Sequence, residues 1–179
     1  CKRHTGQNYD ENGAWAANGH PLPALMDILQ RHDYFDKKPP KSTGREDFNL
    51  EWLDHQLDEW RHMPDYDANT DLAENIQATL LKFTVRPIKK AVARCGLDGG
   101  ELYVCGGGAF NSTLIEQLRW RLSKHNWTIH TTQALGLAPT WVEATAFAWL
   151  AKQRMEKISA NLPAVTGASG LRILGTVTG

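Results

Sequence analysis

The chain has 179 residues, enough for one domain with a sizeable core. Its 20 basic and 20 acidic residues cancel, which argues against a polyanion-binding protein and so against nucleic acid as a partner. No apolar run approaches the roughly 20 residues of a membrane span, and no signal peptide opens the sequence.

Residues 1–20 form a polar opening punctuated by Gly6, Gly13 and Gly19. Cys1-Lys2-Arg3-His4 is neither an initiator methionine nor a helix start, and reads as a chain that begins inside a longer protein. Leu22, Leu25, Met26, Ile28 and Leu29 recur at helical spacing behind Pro23, which predicts a short amphipathic helix from Pro23 to His32. Residues 33–48 are a loop, with Pro39-Pro40 excluding regular structure. Asn49 is placed to cap a helix carrying Leu50, Leu53, Leu57 and Trp60. After a polar loop at 61–70, a long helix is predicted from Asp71 to Arg94, with Leu72, Ile76, Leu80 and Phe83 on its apolar face. Pro87 should kink or divide it, and Gly96 should stop it.

The second half alternates. A strand at 101–105 runs into Gly106-Gly107-Gly108, then a helix from Ser112 to His125, a strand from Trp127 to Thr131, a loop at 133–138 and a helix from Pro139 or Thr140 to Lys157. A last strand is predicted at Arg172–Val177. Strands separated by helices pair in parallel through crossovers, so the fold class is α/β. Two or three strands are few for so many helices.

The glycine run is the clearest functional signal. A strand, a glycine turn and a helix start make a place for a phosphate or nucleotide, because glycine lets backbone approach the ligand and the helix start offers free N–H donors. Gly106-Gly107-Gly108-Ala-Phe-Asn111 is not the dinucleotide fingerprint, since Asn111 stands where glycine or alanine is needed and His130 where the ribose-binding acid belongs. It is no phosphate-binding loop of the Gly-Lys-Ser/Thr type either. A plain structural turn, with Asn111 as a helix cap, is the alternative.

The remaining groups each carry two readings. Glu143 is either a working carboxylate or the fourth residue of a capping box opened by Thr140; Glu116 stands in the same relation to Thr113. Lys41-Ser-Thr-Gly-Arg45-Glu46 offers two cations and two hydroxyls to a phosphate or a sugar carboxylate, or is a solvated loop entering a helix. The seven histidines form no pair at metal-ligand spacing, and none is assigned to a metal. Cys1, Cys95 and Cys105 read as reduced thiols, with Cys105 a small buried hydrophobe at the end of its strand.

Taken together, several runs closely resemble the C-terminal part of the anhydro-N-acetylmuramic acid kinases. These are Tyr9-Asp10 with Gly13, Pro39-Pro-Lys-Ser-Thr-Gly-Arg-Glu46, Val104-Cys-Gly-Gly-Gly-Ala-Phe-Asn111, Ala134-Leu-Gly-Leu137, Trp141-Val-Glu-Ala144, Ala146-Phe-Ala-Trp-Leu-Ala151 and Asn161-Leu-Pro-Ala-Val-Thr-Gly-Ala168. The resemblance covers essentially the whole chain. It implies a truncated actin-like (ribonuclease H-like) α/β domain with several packed helices: residues 1–179 would be a partial C-terminal domain of a two-domain cytoplasmic sugar kinase.

The activity so implied is opening of the 1,6-anhydro ring of the muramic acid sugar with water and phosphorylation of O6 from ATP with Mg2+, in cell-wall recycling. It gives N-acetylmuramic acid 6-phosphate and ADP. Gly106, Gly107, Gly108 and Asn111 would contact ATP, Glu143 would act at the sugar near the anhydro bond, and Lys41 and Arg45 would belong to a substrate-binding loop. The family's glycine-rich phosphate loop and its Asp-Thr-Gly-Pro-Gly-Asn stretch, whose Asp is the general base, have no counterpart here. The fragment alone would then be inactive and need its N-terminal half; a homodimer is compatible with the resemblance. A non-catalytic nucleotide- or sugar-binding fragment is the competing reading, and an unrelated dinucleotide-binding module is disfavoured by the missing fingerprint.

Overall fold

The computed structural model describes residues 1–178. It is a helix-rich α/β arrangement with a two-stranded parallel sheet. The elements in chain order are α1 (Lys2–Thr5), α2 (Ala14–Asn18), α3 (Pro23–Leu29), α4 (Leu50–Arg61), α5 (Ala73–Arg94), β1 (Gly100–Val104), α6 (Ser112–Leu122), β2 (Trp127–Thr131), α7 (Val142–Met155) and α8 (Pro163–Thr166).

Pro23 opens α3 and Asn49 caps α4, its Oδ1 accepting the Trp52 N–H at 2.9 Å. Helix α3 stops at Leu29, three residues before the predicted end, and the chain turns through Gln30. The opening residues, read as no helix start, form the single turn α1. Arg3 at that turn pairs with Asp54 of α4 at 2.9 Å.

Helix α5 runs unbroken from Ala73 to Arg94 with Pro87 inside it, so the predicted division does not occur. Proline has no N–H to give the Phe83 carbonyl, yet packing on two sides holds the helix through that step. Ile76, Leu80 and Phe83 pack against a first core of Leu22, Leu25, Ile28, Leu29, Leu57 and Trp60. Val85 and Val92 belong to a second core with Ile115, Leu118, Leu122 and Ile129, joined by Leu81 and Ile88. At about 100° per residue the two stripes lie roughly 150° apart, on nearly opposite faces.

Strands β1 and β2 pair in register, Leu102 opposite Ile129 and Val104 opposite Thr131. The parallel pairing requires a crossover between the strands, and α6 supplies it. Side chains alternate across the sheet. Leu102, Val104, Trp127 and Ile129 join the second core, while Tyr103 and His130 stack on the other face with ring centroids 5.6 Å apart. The predicted last strand at 172–177 is absent; that segment is held instead by Asn161, whose amide donates to the Gly170 carbonyl at 2.9 Å and accepts the Arg172 N–H at 2.6 Å. Cys105 is exposed rather than buried, because the strand ends at Val104 and the chain turns out of the sheet there.

Two polar residues of α5 do structural work in the interior. Thr79, with no exposed surface, accepts the Leu22 N–H at 2.8 Å and donates to the Asn75 carbonyl at 2.7 Å. Asn75 accepts the His20 N–H at 2.7 Å and donates to the Thr70 carbonyl at 3.0 Å. A side chain on Gly19 would collide with the Glu74 carbonyl, so the chain can reach this pair only through glycine. Near the start of α5, Arg61 and the Tyr66 hydroxyl both donate to Asp71, at 2.8 and 2.9 Å. The Arg61 hydrogen bond holds the Asp71 carboxyl below its ordinary value, against some desolvation.

Thr79→Val should strand the Leu22 N–H in the core and destabilise the chain by about 1–3 kcal/mol. Thr84→Val, which removes only an exposed bond to the Leu80 carbonyl, should cost roughly 0.5 kcal/mol or less. Urea unfolding of the two variants checks this.

Candidate functional site at the carboxyl edge of the sheet

Both strands leave the sheet on the same side because they are parallel. β1 runs into the glycine turn at 106–108, and β2 runs into a helical turn at Thr132–Leu135 closed by Gly136. In open α/β sheets, ligands bind outside the carboxyl ends of the strands.

Gly106 has φ +73° with ψ −171°, a conformation a side chain resists. Its N–H donates to the Pro139 carbonyl at 2.9 Å. That bond ties the glycine turn to the helical turn Pro139–Trp141, from which α7 starts. Gly107 opens the turn Gly107–Phe110. A Cβ built on Gly106 or Gly107 would meet nothing within 4 Å, so glycine here leaves space above the backbone rather than relieving a clash with protein. Gly107 and Gly108 are exposed.

Asn111 caps α6, its Oδ1 accepting the Leu114 N–H at 2.9 Å. The Thr113–Glu116 capping box is therefore not formed. Thr113 instead donates to the carbonyls of Asn12 and Gly13, at 3.0 and 3.1 Å, and Ser112 donates to Asn12 at 3.0 Å. The polar opening of the chain is thus stitched to the start of α6, about a hundred residues away. Asp10 shapes the opening by accepting the N–H groups of Trp15 and Ala16 at 2.8 and 2.9 Å. Gly13, at φ +70°, sits so close that a Cβ would overlap the Asn111 side-chain oxygen and come within 2.8 Å of Thr113 Cβ. Sequence reasoning noticed Asn111 and Gly13 separately; the contact between them had no local signal.

Glu143 lies in the first turn of α7, exposed and without a side-chain cap bond to Thr140, so the second capping box is also absent. The cap fails because α7 starts at Val142, after a separate turn, which puts Thr140 outside the capping position. Its carboxylate has no hydrogen-bond or ion-pair partner among the described residues. Thr132 Oγ1, just past β2, is buried with no partner among them either.

Lys41 and Arg45 are elsewhere. Lys41 Nζ donates to the Tyr34 carbonyl at 2.7 Å and lies 4.3 Å from the centre of the Tyr34 ring, so it clasps its own loop. Arg45 is exposed on the rim of an open groove of about 970 Å³ between that loop, α4 and α5. Phe35, Phe48, Trp52 and Phe83 form an aromatic cluster along this groove, Phe48 and Trp52 with centroids 5.0 Å apart. No residue of 106–111 or 139–143 lines it. The structure therefore brings the glycine turn, Asn111 and the start of α7 together, and keeps Lys41 and Arg45 apart from them. Among the described residues, no helix is long and apolar enough to cross a membrane, and no three His, Cys, Asp or Glu side chains gather as a metal site.

A glycine turn and two loop–helix junctions at the carboxyl edge of a parallel sheet form the kind of site that α/β proteins use for phosphate-bearing ligands. The chain belongs to the anhydro-N-acetylmuramic acid kinase family, whose model matches residues 1–179. Relatives bearing that name include one from Acinetobacter baylyi, 65% identical over 179 residues, covering 99% of this chain and 48% of the relative. Others are from Nitrosomonas europaea, 45% identical over 177 residues (99% and 46%), and Pseudomonas fluorescens, 46% identical over 172 residues (96% and 45%). The chain spans about half the length of the curated relatives it matches.

Gly13→Ala puts a side chain at positive φ against Asn111 and should lower stability by about 1–3 kcal/mol. Asn111→Ala alone should cost about 1 kcal/mol as a lost cap. The double variant should cost less than the sum, because both act on one seam. Strict additivity in urea unfolding would show that the two residues do not share an interaction.

Proposed function

We propose that these residues are the C-terminal, actin-like part of a kinase that opens 1,6-anhydro-N-acetylmuramic acid with water and phosphorylates O6, giving N-acetylmuramic acid 6-phosphate and ADP. Membership of the family supports the reading. The single structural observation that carries it is the open glycine turn hydrogen-bonded, through Gly106 and Pro139, to the turn that starts α7. One junction faces the nucleotide and the other carries Glu143.

ATP with Mg2+ supplies the phosphoryl group when bound. The residues present fit such a ligand: the space above Gly106 and Gly107 is free of protein atoms, and phosphoryl transfer asks mainly for positioning and charge stabilisation. In this reading Gly106 to Gly108 bring backbone against the nucleotide, and Asn111 fixes the helix behind them. Glu143, unpaired by any cation among the described residues, orients the sugar near the anhydro bond. Lys41 clasps its own loop and Arg45 lies at a different groove, so no contact with this sugar is assigned to them. The general base for the attacking water belongs to the part of the family's length that this chain does not span, so residues 1–179 alone should not turn over substrate.

In the full-length protein, Glu143→Gln should lower turnover of the anhydro sugar about 100-fold or more while leaving ATP affinity nearly unchanged. An unaltered rate would remove Glu143 from the reaction.

Gly107→Val tests the nucleotide side. The fold has room for the added side chain, so stability should hold while ATP affinity measured by calorimetry falls about tenfold or more. Unchanged affinity would move the nucleotide away from the turn.

A further inference from the structure

Helix α7 has no buried residue. Phe147 is 63% exposed, Trp149 49% and Met155 70%. From Ala144 to Ala151 every residue except Thr145 is apolar. At about 100° per residue, the seven apolar positions put an apolar group, a large side chain or an alanine methyl, on every side of the helix. A helix apolar all round belongs in an interior, whereas a surface helix keeps one polar face. Helix α4 shows the contrast within the same molecule: Leu57 and Trp60 are buried, while Glu51, His55 and Glu59 face solvent.

The energetics agree. Burying a large apolar side chain is worth about 1.5–3 kcal/mol, and most of that is unrealised for Phe147, which stays 63% exposed. An isolated helix of fourteen residues is marginal in water, yet α7 holds that length. The apolar exposure continues beyond it, through Ile158, Leu162 and Val165.

We infer that α7 is an internal helix of the full-length family polypeptide, covered on more than one side by the half of that polypeptide which this chain does not span. The relatives carry about as much sequence again as is present here, which is cover of the right size. A second copy of this chain fits less well. A two-fold contact buries the same single patch on each partner, and α7 has apolar groups on all sides. The inference rests on the proposed function for its biological meaning, and it deepens that reading. With Glu143 in the first turn of α7 and Gly106 tied to the turn before it, the site would close only at the seam between the two halves.

The test uses the full-length protein, with its native cysteines replaced by serine and one cysteine introduced at a time. Ala148→Cys is nearly isosteric and should leave the fold intact. Asp65→Cys, on an exposed loop, is the reference. Native Ala148→Cys should react with a maleimide about 100-fold or more slower than Asp65→Cys, and the two rates should converge in urea. Rates within about threefold of each other in the native protein would overturn the inference. So would protection that disappears when light scattering shows dilution to monomer, because the cover would then be a second copy. Kinase activity is read separately. Protected Ala148→Cys in a protein that does not phosphorylate the sugar would uphold the helix packing and sink the proposed function; the converse pair of results would do the reverse.

Discussion

One helix has to serve two cores. α5 lays Ile76, Leu80 and Phe83 on the first and Val85, Ile88 and Val92 on the second, so the orientation of one half of the molecule relative to the other is the twist of a single helix. This is why α5 tolerates Pro87. A proline inside a helix, through its lost hydrogen bond and the clash of its ring, costs about 3 kcal/mol or more, but here a break would separate both packed faces at once. The same constraint explains the buried polar pair. Asn75 and Thr79 take up the N–H groups of His20 and Leu22, just after Gly19, where the chain passes α5 too closely for a side chain. Their hydrogen bonds fix the register of α3 on α5, and through it the first core.

The candidate site inherits its geometry from the second core. Ile115, Leu118 and Leu122 hold α6 against the sheet, and Asn111 at the head of that helix sets where the glycine turn ends. The stitch from Ser112 and Thr113 to Asn12 and Gly13 then fastens the opening segment across the site. Their shared effect is to hold a stretch of bare backbone open at the end of a strand, which suits the proposed reaction, where positioning counts for most.

Most of the local structure was legible. The 3.6-residue spacing in α3, α4 and α6, the Asn49 and Asn111 caps and the short strand β2 are local signals with local causes. Most of the misreadings share one reason: they depended on a distant partner. Pro87 reads as a kink or a division, and no division occurs because the second apolar stripe of α5 finds its partners in α6 and β2. A capping box at Thr113 stays open as one of two readings because the acceptors of Thr113, the carbonyls of Asn12 and Gly13, lie a hundred positions away. Cys105 was read as buried because nothing in the sequence says that β1 ends one residue earlier. The tail was read as a strand because Val and Ile favour extension, but no neighbouring strand among the described residues offers it a ladder; Asn161 holds it instead.

The sequence by itself determined most of the elements and the family, because periodicity, capping and motif residues act over short stretches of chain. Only the tertiary structure decided which of the candidate residues stand together. It joined Gly106 to Pro139 and Gly13 to Asn111, turned Lys41 inward onto its own loop, and left Arg45 at a separate aromatic groove. It also showed that α7, apolar on every side, finds no cover among the described residues. Such facts come from packing between segments far apart in the chain, where steric fit and hydrogen-bond satisfaction, rather than local propensity, choose the arrangement.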